Sequence, residues 1–432
     1  MIGVALLGCG TVGSGVIKLL QKNSEIINKR IGESIVIKKV LERDTEKCRL
    51  LGIKDEVITQ DIQEILDDQD IAIVVELIGG IEPAFSYIMA ALARGKHVVT
   101  ANKDLIAIKG KDIFDRAKEK GVDFYFEASV AGGIPIVYPM KQSLAANQIQ
   151  EVIGILNGTT NYILSKMSRE GRDFNEVLAE AQQLGYAESD PSADVDGLDA
   201  ARKIAILSSI AFNSRVTLDD VYVEGIRSIT AADIQYAKEL GYVIKLLAIT
   251  KENSQQKIEV RVHPAFLPRS HPMAGVNDVF NAVFLRGDAV GEIMHYGRGA
   301  GQMPTASAVF GDIIEIARNI LHHSNARIGC SCYANKAIMD IKELEGEYYI
   351  RMIVEDRPGV LAGIAAVFGN NNVSIATVLQ KTSKQGWAEL ILITHRVREI
   401  HLRDSLTVLK GLSIVGEIKN VIRLEGTDRE VD

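Results

Sequence analysis

The feature that most constrains what this 432-residue chain can fold into is its opening stretch. Ile2 to Leu7 is an unbroken apolar run, the pattern of a buried strand. Gly8-Cys9-Gly10-Thr11-Val12-Gly13 follows, and Thr11 to Gln21 then carries Val12, Val16, Leu19 and Leu20 at helical spacing. Strand, G-x-G-x-x-G turn and helix in that order are the context of a dinucleotide site. Gly8 permits the tight turn, Gly10 lets the backbone approach a pyrophosphate, and Gly13 lets helix and strand pack closely. The helix head, with Thr11 and Val12, offers unpaired N–H groups and a partial positive charge to phosphates.

Apolar runs continue to alternate with amphipathic segments: Ile35 to Leu41, Ile71 to Ile78, His97 to Thr100 and Asp123 to Glu127 read as strands, and Pro83 to Arg94 as a helix. That alternation predicts a parallel sheet with crossover helices. Further along, Glu176 to Leu184 and Leu198 to Phe212 read as helices and Lys257 to His263 as a strand. The last 80 or so residues run strand, helix, strand, strand, helix, strand, the ferredoxin-like order, with a helix expected from Pro358 to Asn370. The expected class is α/β. Residues 1–130 form a Rossmann-type domain with a returning segment at about 300–330, residues 131–300 an α+β substrate-binding and dimerisation domain, 331–347 a linker, and 348–432 a βαββαβ domain.

Apolar residues make up 47% and charged residues 24%, an ordinary globular balance. A formal charge of −7 argues against a nucleic-acid partner, and no apolar run approaches the ~20 residues of a membrane helix. Four cysteines do not make a disulfide framework, and no basic segment with a cleavable apolar stretch precedes the first strand, so a cytoplasmic protein is expected. Cys330 and Cys332 form Cys-x-Cys rather than Cys-x-x-Cys; they read as ordinary thiols, with a redox switch as the other reading.

Several segments carry candidate chemistry. At the end of the second strand an acid would bind the 2′-hydroxyl of NAD, whereas an arginine accommodates the 2′-phosphate of NADP. Leu41-Glu42-Arg43-Asp44 holds both; Arg43, with Lys38, Lys39 and Lys47 nearby, points to NADP, and NAD stays open. Lys103 follows the strand ending at Thr100, where a cation can meet a substrate carbonyl or the nicotinamide ribose. Glu127 to Ile136 is a strand end running into Gly-Gly-x-Pro, a turn able to expose successive carbonyls to a hard monovalent cation, or simply a tight crossing. Glu188, Asp190, Asp194, Asp196 and Asp199 concentrate acids, and Asp199 and Lys203 share one face of a helix. Because that helix continues as apolar Ile204 to Leu207, the pair is expected to be buried, and a buried pair is costly to keep for stability alone.

Taken in order, these segments resemble homoserine dehydrogenase. The resemblance rests on Gly8 to Gly13, Thr100 to Lys103, Glu127 to Ile136, Gly154-Ile-Leu-Asn-Gly-Thr-Thr-Asn161, Gly185 to Pro191, Asp194 to Lys203, His271 to Asn277 with Asn281, and Gly299-Ala-Gly301, and it spans about residues 1 to 330. The tail resembles an ACT domain, with Asp356-Arg-Pro-Gly-Val-Leu361 at its first loop. The resemblance implies reversible reduction of L-aspartate 4-semialdehyde to L-homoserine on the route to threonine, methionine and isoleucine. It implies NADP or NAD as cofactor, a sodium ion, and a homodimer or homotetramer. Glu188, Asp194 and Asp199 match substrate-binding acids; Lys203 matches a proton donor to the carbonyl oxygen and Lys103 a second lysine near substrate and cofactor. Gly185 and Gly301 match cofactor-contacting loops, and Glu127, Val130, Gly132 and Ile134 a sodium site. Asp356, Pro358, Gly359, Val360 and Leu361 match an effector site, with threonine as the implied effector.

Two other readings compete. An aldehyde dehydrogenase that phosphorylates its product needs an activated cysteine, and none of Cys9, Cys48, Cys330 and Cys332 has an obvious base partner. A non-enzymatic amino-acid sensor would not need the acids and lysine of segment 188–203.

Overall fold

A computed structural model describes residues 1–384 and 386–426, without the side chains of 382–384. The chain divides into two interleaved units: Met1–Leu156, Arg202–Val221 and Phe280–Lys336 make the first, and Asn157–Ala201, Tyr222–Val279 and the tail from Ala337 the second.

The first unit is built on a six-stranded parallel sheet, β1 (Ile2–Leu7), β2 (Ile35–Leu41), β3 (Ile58–Thr59), β4 (Ile71–Glu76), β5 (His97–Thr100) and β6 (Phe124–Tyr125), in the order 3-2-1-4-5-6. This is the doubly wound arrangement that binds dinucleotides at its switch point. β1 is buried along its whole length, as an apolar run covered on both faces must be. The crossovers are α1 (Thr11–Ile31), α2 (Thr45–Leu50), α3 (Gln63–Leu66), α4 (Ala84–Ala93) and α5 (Lys103–Lys120). α1 runs ten residues beyond the expected Gln21 and stops where Gly32 adopts φ 84°. β6 is shorter than expected: a 3₁₀ turn over Glu127–Ser129 replaces the end of the strand, because the Glu127 carboxylate turns inward to collect amides from the following loop. Three antiparallel strands, β7 (Ile149–Ile155), β11 (Phe280–Gly287) and β12 (Gly291–Arg298), and helix α11 (Gln302–Leu321) complete this unit. Gly15 permits α1 to lie on α11, since a Cβ there would sit 2.6 Å from the Gln302 carbonyl oxygen.

The second unit contains α6 (Gly158–Glu170), α7 (Phe174–Gln183), α8 (Ser192–Val195), α10 (Ala231–Glu239) and the short strand β8 (Tyr222–Val223). Helix α9 (Leu198–Ala211) begins here and continues into the first unit. The long hairpin β9 (Tyr242–Glu252) and β10 (Ile258–Pro268) shares a sheet with the ferredoxin-like tail, because β10 pairs in parallel with β17 (Val415–Leu424) through Ala265 and Phe266. The tail runs β13 (Glu345–Glu355), α12 (Val360–Asn370), β14 (Ile375–Lys384), β15 (Trp387–Thr394), β16 (Val397–Arg398), α13 (Glu399–Lys410) and β17. Residues 385 and 427–432 of the expected 348–432 range lie outside the described residues. β13 starts at Glu345, three residues ahead of expectation, because Glu345 and Gly346 pair with Arg398 and Val397. α12 starts at Val360 rather than Pro358, because Gly359 takes φ 89° and forms the N-cap.

Buried ion pairs hold the tail to the rest of its unit. Asp233 of α10 is fully buried and accepts Arg351 Nε at 2.8 Å, Tyr349 Oη at 3.2 Å and Asn420 Nδ2 at 3.0 Å. Glu399 accepts Arg423 Nη2 at 2.6 Å, and Arg423 also donates to Glu224 at 2.9 Å. Arg261 donates to Glu425 at 2.6 Å and to His263 Nε2 at 2.9 Å. His263 Nδ1 lies 3.0 Å from the Pro264 carbonyl oxygen, so the ring is neutral and carries its proton on Nδ1.

Candidate active site

Gly8 adopts φ 104°, which side-chain-bearing residues rarely take. A Cβ on Gly13 would sit 2.2 Å from the Gly8 carbonyl oxygen, so only glycine lets α1 start this close to β1. Gly10 is different: among the described residues nothing lies within 4 Å of where its Cβ would be, and the head of α1 has no side-chain cap and no acid in its first turn. This is an open cradle lined by amides at the positive end of a helix, which fits a pyrophosphate.

At the end of β2, Glu42 folds back on the turn. Its carboxylate accepts the amides of Cys9 at 2.7 Å, Arg43 at 2.9 Å and Asp44 at 3.2 Å. Of the nearby lysines, Lys38 pairs with Asp70, Lys39 with Glu64 and Lys47 with Asp44, so they add no free charge beside Arg43. Arg43 is exposed, and its guanidinium makes no hydrogen bond or ion pair among the described residues.

Lys103 is the first residue of α5. An ammonium at the positive end of a helix is unfavourable by a few tenths of a kcal/mol, so its placement answers something other than helix stability. The neighbouring framework is rigid. Glu76, fully buried at the end of β4, accepts Thr100 Oγ1 at 2.6 Å; Thr100 Oγ1 accepts the Asn102 amide at 3.0 Å. Asn102 caps α5 by accepting the Leu105 amide at 3.1 Å and donates to the Gly80 carbonyl at 2.6 Å. Arg202 of α9 pairs with Asp104 at 2.7 Å, tying the helix of Lys203 to that of Lys103. The Lys203 ammonium is half-buried and donates to the Leu156 carbonyl at 2.7 Å.

In the second unit, Asn157 does what the sequence did not reveal. It caps α6, its Oδ1 accepting the Thr160 amide at 2.9 Å, and that bond turns its amide nitrogen to the acids. Nδ2 donates to Asp194 at 2.7 Å and to Asp199 at 2.9 Å. One side chain thus gathers two carboxylates, Asp199 being buried as expected. Glu188 is exposed, and no hydrogen bond links its carboxylate to either aspartate among the described residues. Gly185 lies on an exposed turn after α7 with φ 73°. A second missed residue is Lys245, buried on β9, which donates to Asn161 at 3.1 Å and Asn277 at 3.2 Å and joins two family segments; burial lowers its pKa to about 8.

Two buried acids meet at the Glu127 loop, Glu127 itself and Asp312 of α11. Glu127 accepts the amides of Ile136 at 2.5 Å, Val137 at 2.9 Å and Tyr138 at 2.6 Å, and its own amide donates to Asp312 at 2.9 Å. Burial pushes the Glu127 carboxyl up despite these amides, and pushes Asp312 well up, with Glu127 adding repulsion. No cationic side chain pairs with either among the described residues. Ala131 and Gly132 follow with φ 57° and 55°, and a Cβ on Gly132 would sit 2.2 Å from the Gly299 carbonyl oxygen. Val130 and Ile134 of this loop are buried. Two buried acids that meet no cationic side chain among the described residues suit a bound monovalent cation, whose charge would offset their burial. Close by, Gly301 takes φ 120° at the uncapped head of α11, and Asn281, buried against Gly299, has neither amide atom hydrogen-bonded among the described residues.

In the tail, Asp356, Pro358 and Gly359 form an exposed loop and Leu361 is 41% exposed, whereas Val360 is buried. Asp356 accepts Gln380 Nε2 at 3.3 Å, and its amide donates to Gly386 at 2.9 Å. Trp387 is 38% exposed. Among the cysteines, Cys9 and Cys48 are buried and burial raises both thiols, Cys48 to about 12, which ill suits a nucleophile.

The 3-2-1-4-5-6 sheet, its glycine cradle and its lysine-bearing strand ends define a nicotinamide-dependent oxidoreductase, here with a ferredoxin-like tail. Three family models match the chain: homoserine dehydrogenase over residues 135–314, the homoserine dehydrogenase NAD-binding domain over 8–127, and the ACT domain over 348–413. The chain is 48% identical to the homoserine dehydrogenase of Synechocystis sp. over 432 residues, covering 98% of this chain and 99% of that one. The crystal structure of a homoserine dehydrogenase from Thiobacillus denitrificans superposes with a TM-score of 0.92 at 42% identity, covering 98% of each chain. A hyperthermophilic archaeal homoserine dehydrogenase in complex with NADPH superposes with a TM-score of 0.63 at 29% identity, over 75% of this chain and 99% of that one. The chain belongs to the homoserine dehydrogenase family, which decides against the thiol-dependent and non-enzymatic alternatives.

Proposed function

We propose that the protein reduces L-aspartate 4-semialdehyde reversibly to L-homoserine, on the route to threonine, methionine and isoleucine. The observation that carries this reading is the Asn157 amide gathering Asp194 and Asp199, with Lys203 one turn further along the same helix as Asp199. Paired carboxylates suit the α-ammonium of an amino-acid substrate. Asp194 and Asp199 take that role, and exposed Glu188 joins them when substrate is present. The nicotinamide cofactor, when bound, supplies or accepts the hydride. Negative charge then grows on the substrate's carbonyl oxygen; Lys203 stabilises that charge and gives the oxygen its proton, and Lys103 orients substrate against cofactor.

The preferred cofactor is NADP. Glu42 is engaged by three amides, whereas the Arg43 guanidinium is available for a 2′-phosphate. The glycine turn, Gly185 and Gly301 line the cofactor, and Glu127, Val130, Gly132 and Ile134 hold a sodium ion that compensates the buried acids. Residues 1–130 with 300–330 serve the cofactor, 131–300 the substrate and self-association into a dimer or tetramer, and 348–432 regulation, joined by the linker 331–347. Threonine acts at Asp356, Pro358, Gly359, Val360 and Leu361, where an uncapped helix head without acids suits a carboxylate. The exposed turns of α12, among them Leu361, suit pairing of two tails. The protein works in the cytoplasm.

One assay tests the reading: homoserine oxidation followed by cofactor absorbance, with NADP and NAD in turn, in sodium or a bulky organic cation, with and without threonine. Turnover with NADP, stimulated by sodium and depressed by threonine, is expected. No turnover with either cofactor overturns the activity, and insensitivity to sodium or threonine overturns that part alone.

A further inference from the structure

Beyond α11 the chain runs back along the first unit, and Lys141 donates to the Gly329 carbonyl at 2.7 Å. There Cys330, Cys332, Phe114, Phe126, Lys141 and Arg215 line a small open pocket of about 50 Å³ against α5 and α9. The Cys332 amide donates to Cys330 Sγ at 3.4 Å, and Cys332 Sγ lies 3.9 Å from the Ser209 carbonyl oxygen on α9. Cys330 is exposed and Cys332 half-exposed. The Lys141 ammonium sits 5.2 Å from the Phe114 ring centre and 5.6 Å from that of Phe126. Arg215 donates to the Ala107 and Ile108 carbonyls at 3.5 and 3.4 Å. Neither cation pairs with a carboxylate among the described residues. Two thiols, two cations without counter-charge and two aromatic faces therefore meet in one accessible pocket, and dehydrogenase chemistry uses none of them.

The geometry points to Cys330 as a thiol-modification site for low-molecular-weight disulfides that carry carboxylates, with Cys332 as the resolving thiol. The Cys330 thiolate attacks one sulfur of the incoming disulfide; a bond from Sγ to that sulfur forms, the original S–S bond breaks, and one thiolate leaves. Cys332 then loses its proton to solvent and attacks Cys330 Sγ. The second thiolate leaves, and Cys330 and Cys332 are joined by a disulfide. Two protein thiols are oxidised and one disulfide is reduced to two thiols. Lys141 and Arg215 receive the reagent's carboxylates and favour the thiolate, and the phenyl rings receive its apolar body. The hydrogen bond from Cys332, with the charges of Lys141 and Arg215, holds the Cys330 thiol below its ordinary range.

The test reads thiol release from the full-length protein with 5,5′-dithiobis(2-nitrobenzoate), an anionic aromatic disulfide, and with neutral 2,2′-dithiodipyridine, between pH 5 and 9. The expected result is a fast phase releasing two reagent thiols per chain, with a rate midpoint below that of an ordinary thiol. Cys330→Ser abolishes that phase, and Cys332→Ser halves its yield. Lys141→Met slows the anionic reagent about 10-fold while slowing the neutral one much less. If Lys141→Met fails to fold, Arg215→Gln and the ratio of the two reagents on the unaltered protein carry the same comparison. A fast phase that survives Cys330→Ser, a midpoint near that of an ordinary thiol, a single thiol released, or equal sensitivity of both reagents to charge removal overturns the proposal.

Discussion

Glu127 in the first unit and Glu399 in the second are both buried carboxylates, 6% and 3% exposed, and they differ in what surrounds them. Burial alone raises either. At Glu399 the Arg423 and Arg403 guanidiniums more than offset that, and the carboxyl falls below its ordinary range. At Glu127, among the described residues, only backbone amides answer, the second acid Asp312 stands beside it, and the carboxyl rises. A charge closed by arginine is structural: it locks one element to another and leaves nothing for a ligand. A charge left with amides alone is costly to fold around and is retained where something else completes it. The same division separates Asp233, closed by Arg351, from Asp194, which is held by the uncharged side chain of Asn157.

The division fails if open groups prove structural or closed groups prove catalytic. The largest effect is expected at Lys203. Lys203→Ala should lower kcat by roughly 10²–10⁴-fold with cofactor affinity intact by fluorescence titration; near wild-type turnover removes it from the chemistry. Arg351→Met should instead cost about 3–5 kcal/mol in urea unfolding, because Asp233 keeps a buried charge without its partner, while turnover per folded molecule holds. A fall in kcat without lost stability would erase the distinction. Asn157→Asp sharpens it further: a third carboxylate beside Asp194 and Asp199 should raise KM for homoserine about 10–100-fold and leave KM for the cofactor unchanged. Equal rises in both would mean Asn157 acts only as a helix cap.

The smallest effect is one of pH. His263 is held neutral, burial lowering its pKa from 6.5 to about 4, and Glu425 is lowered to about 2 because its basic neighbours, Arg261 first and Lys251 next, together outweigh its burial. Both pKa values fall on folding, so the unfolded chain takes up protons first and stability is lost as pH falls. The His263 contribution declines from about pH 6.5 to 4, and that of Glu425 from about 4.5 to 2. Melting of the second unit should weaken by on the order of 2 kcal/mol between pH 7 and 4.5. His263→Asn should flatten the upper part of that fall; an unchanged profile would mean the ring is not held neutral.

What could be read before any coordinates was local in the chain. Gly8 to Gly13 encodes a turn whose constraints are steric and act within a few residues, so its meaning survives without tertiary context. Asp199 and Lys203 stand four residues apart on a helix, and that geometry too is local. The order of elements in the tail follows from periodicity.

Tertiary structure alone decided which polar groups meet. Asn157 shows nothing of its role until folding brings Asp194, 37 residues away, to its side-chain amide nitrogen. Lys38, Lys39 and Lys47 read as a basic patch until their acids are seen, and Glu42 reads as a ribose ligand until it folds back on Cys9. Backbone propensity and side-chain periodicity are properties of neighbours in sequence. Whether a buried charge is closed by another side chain or left for a ligand depends on pairings across tens to hundreds of residues, and no spacing rule encodes those.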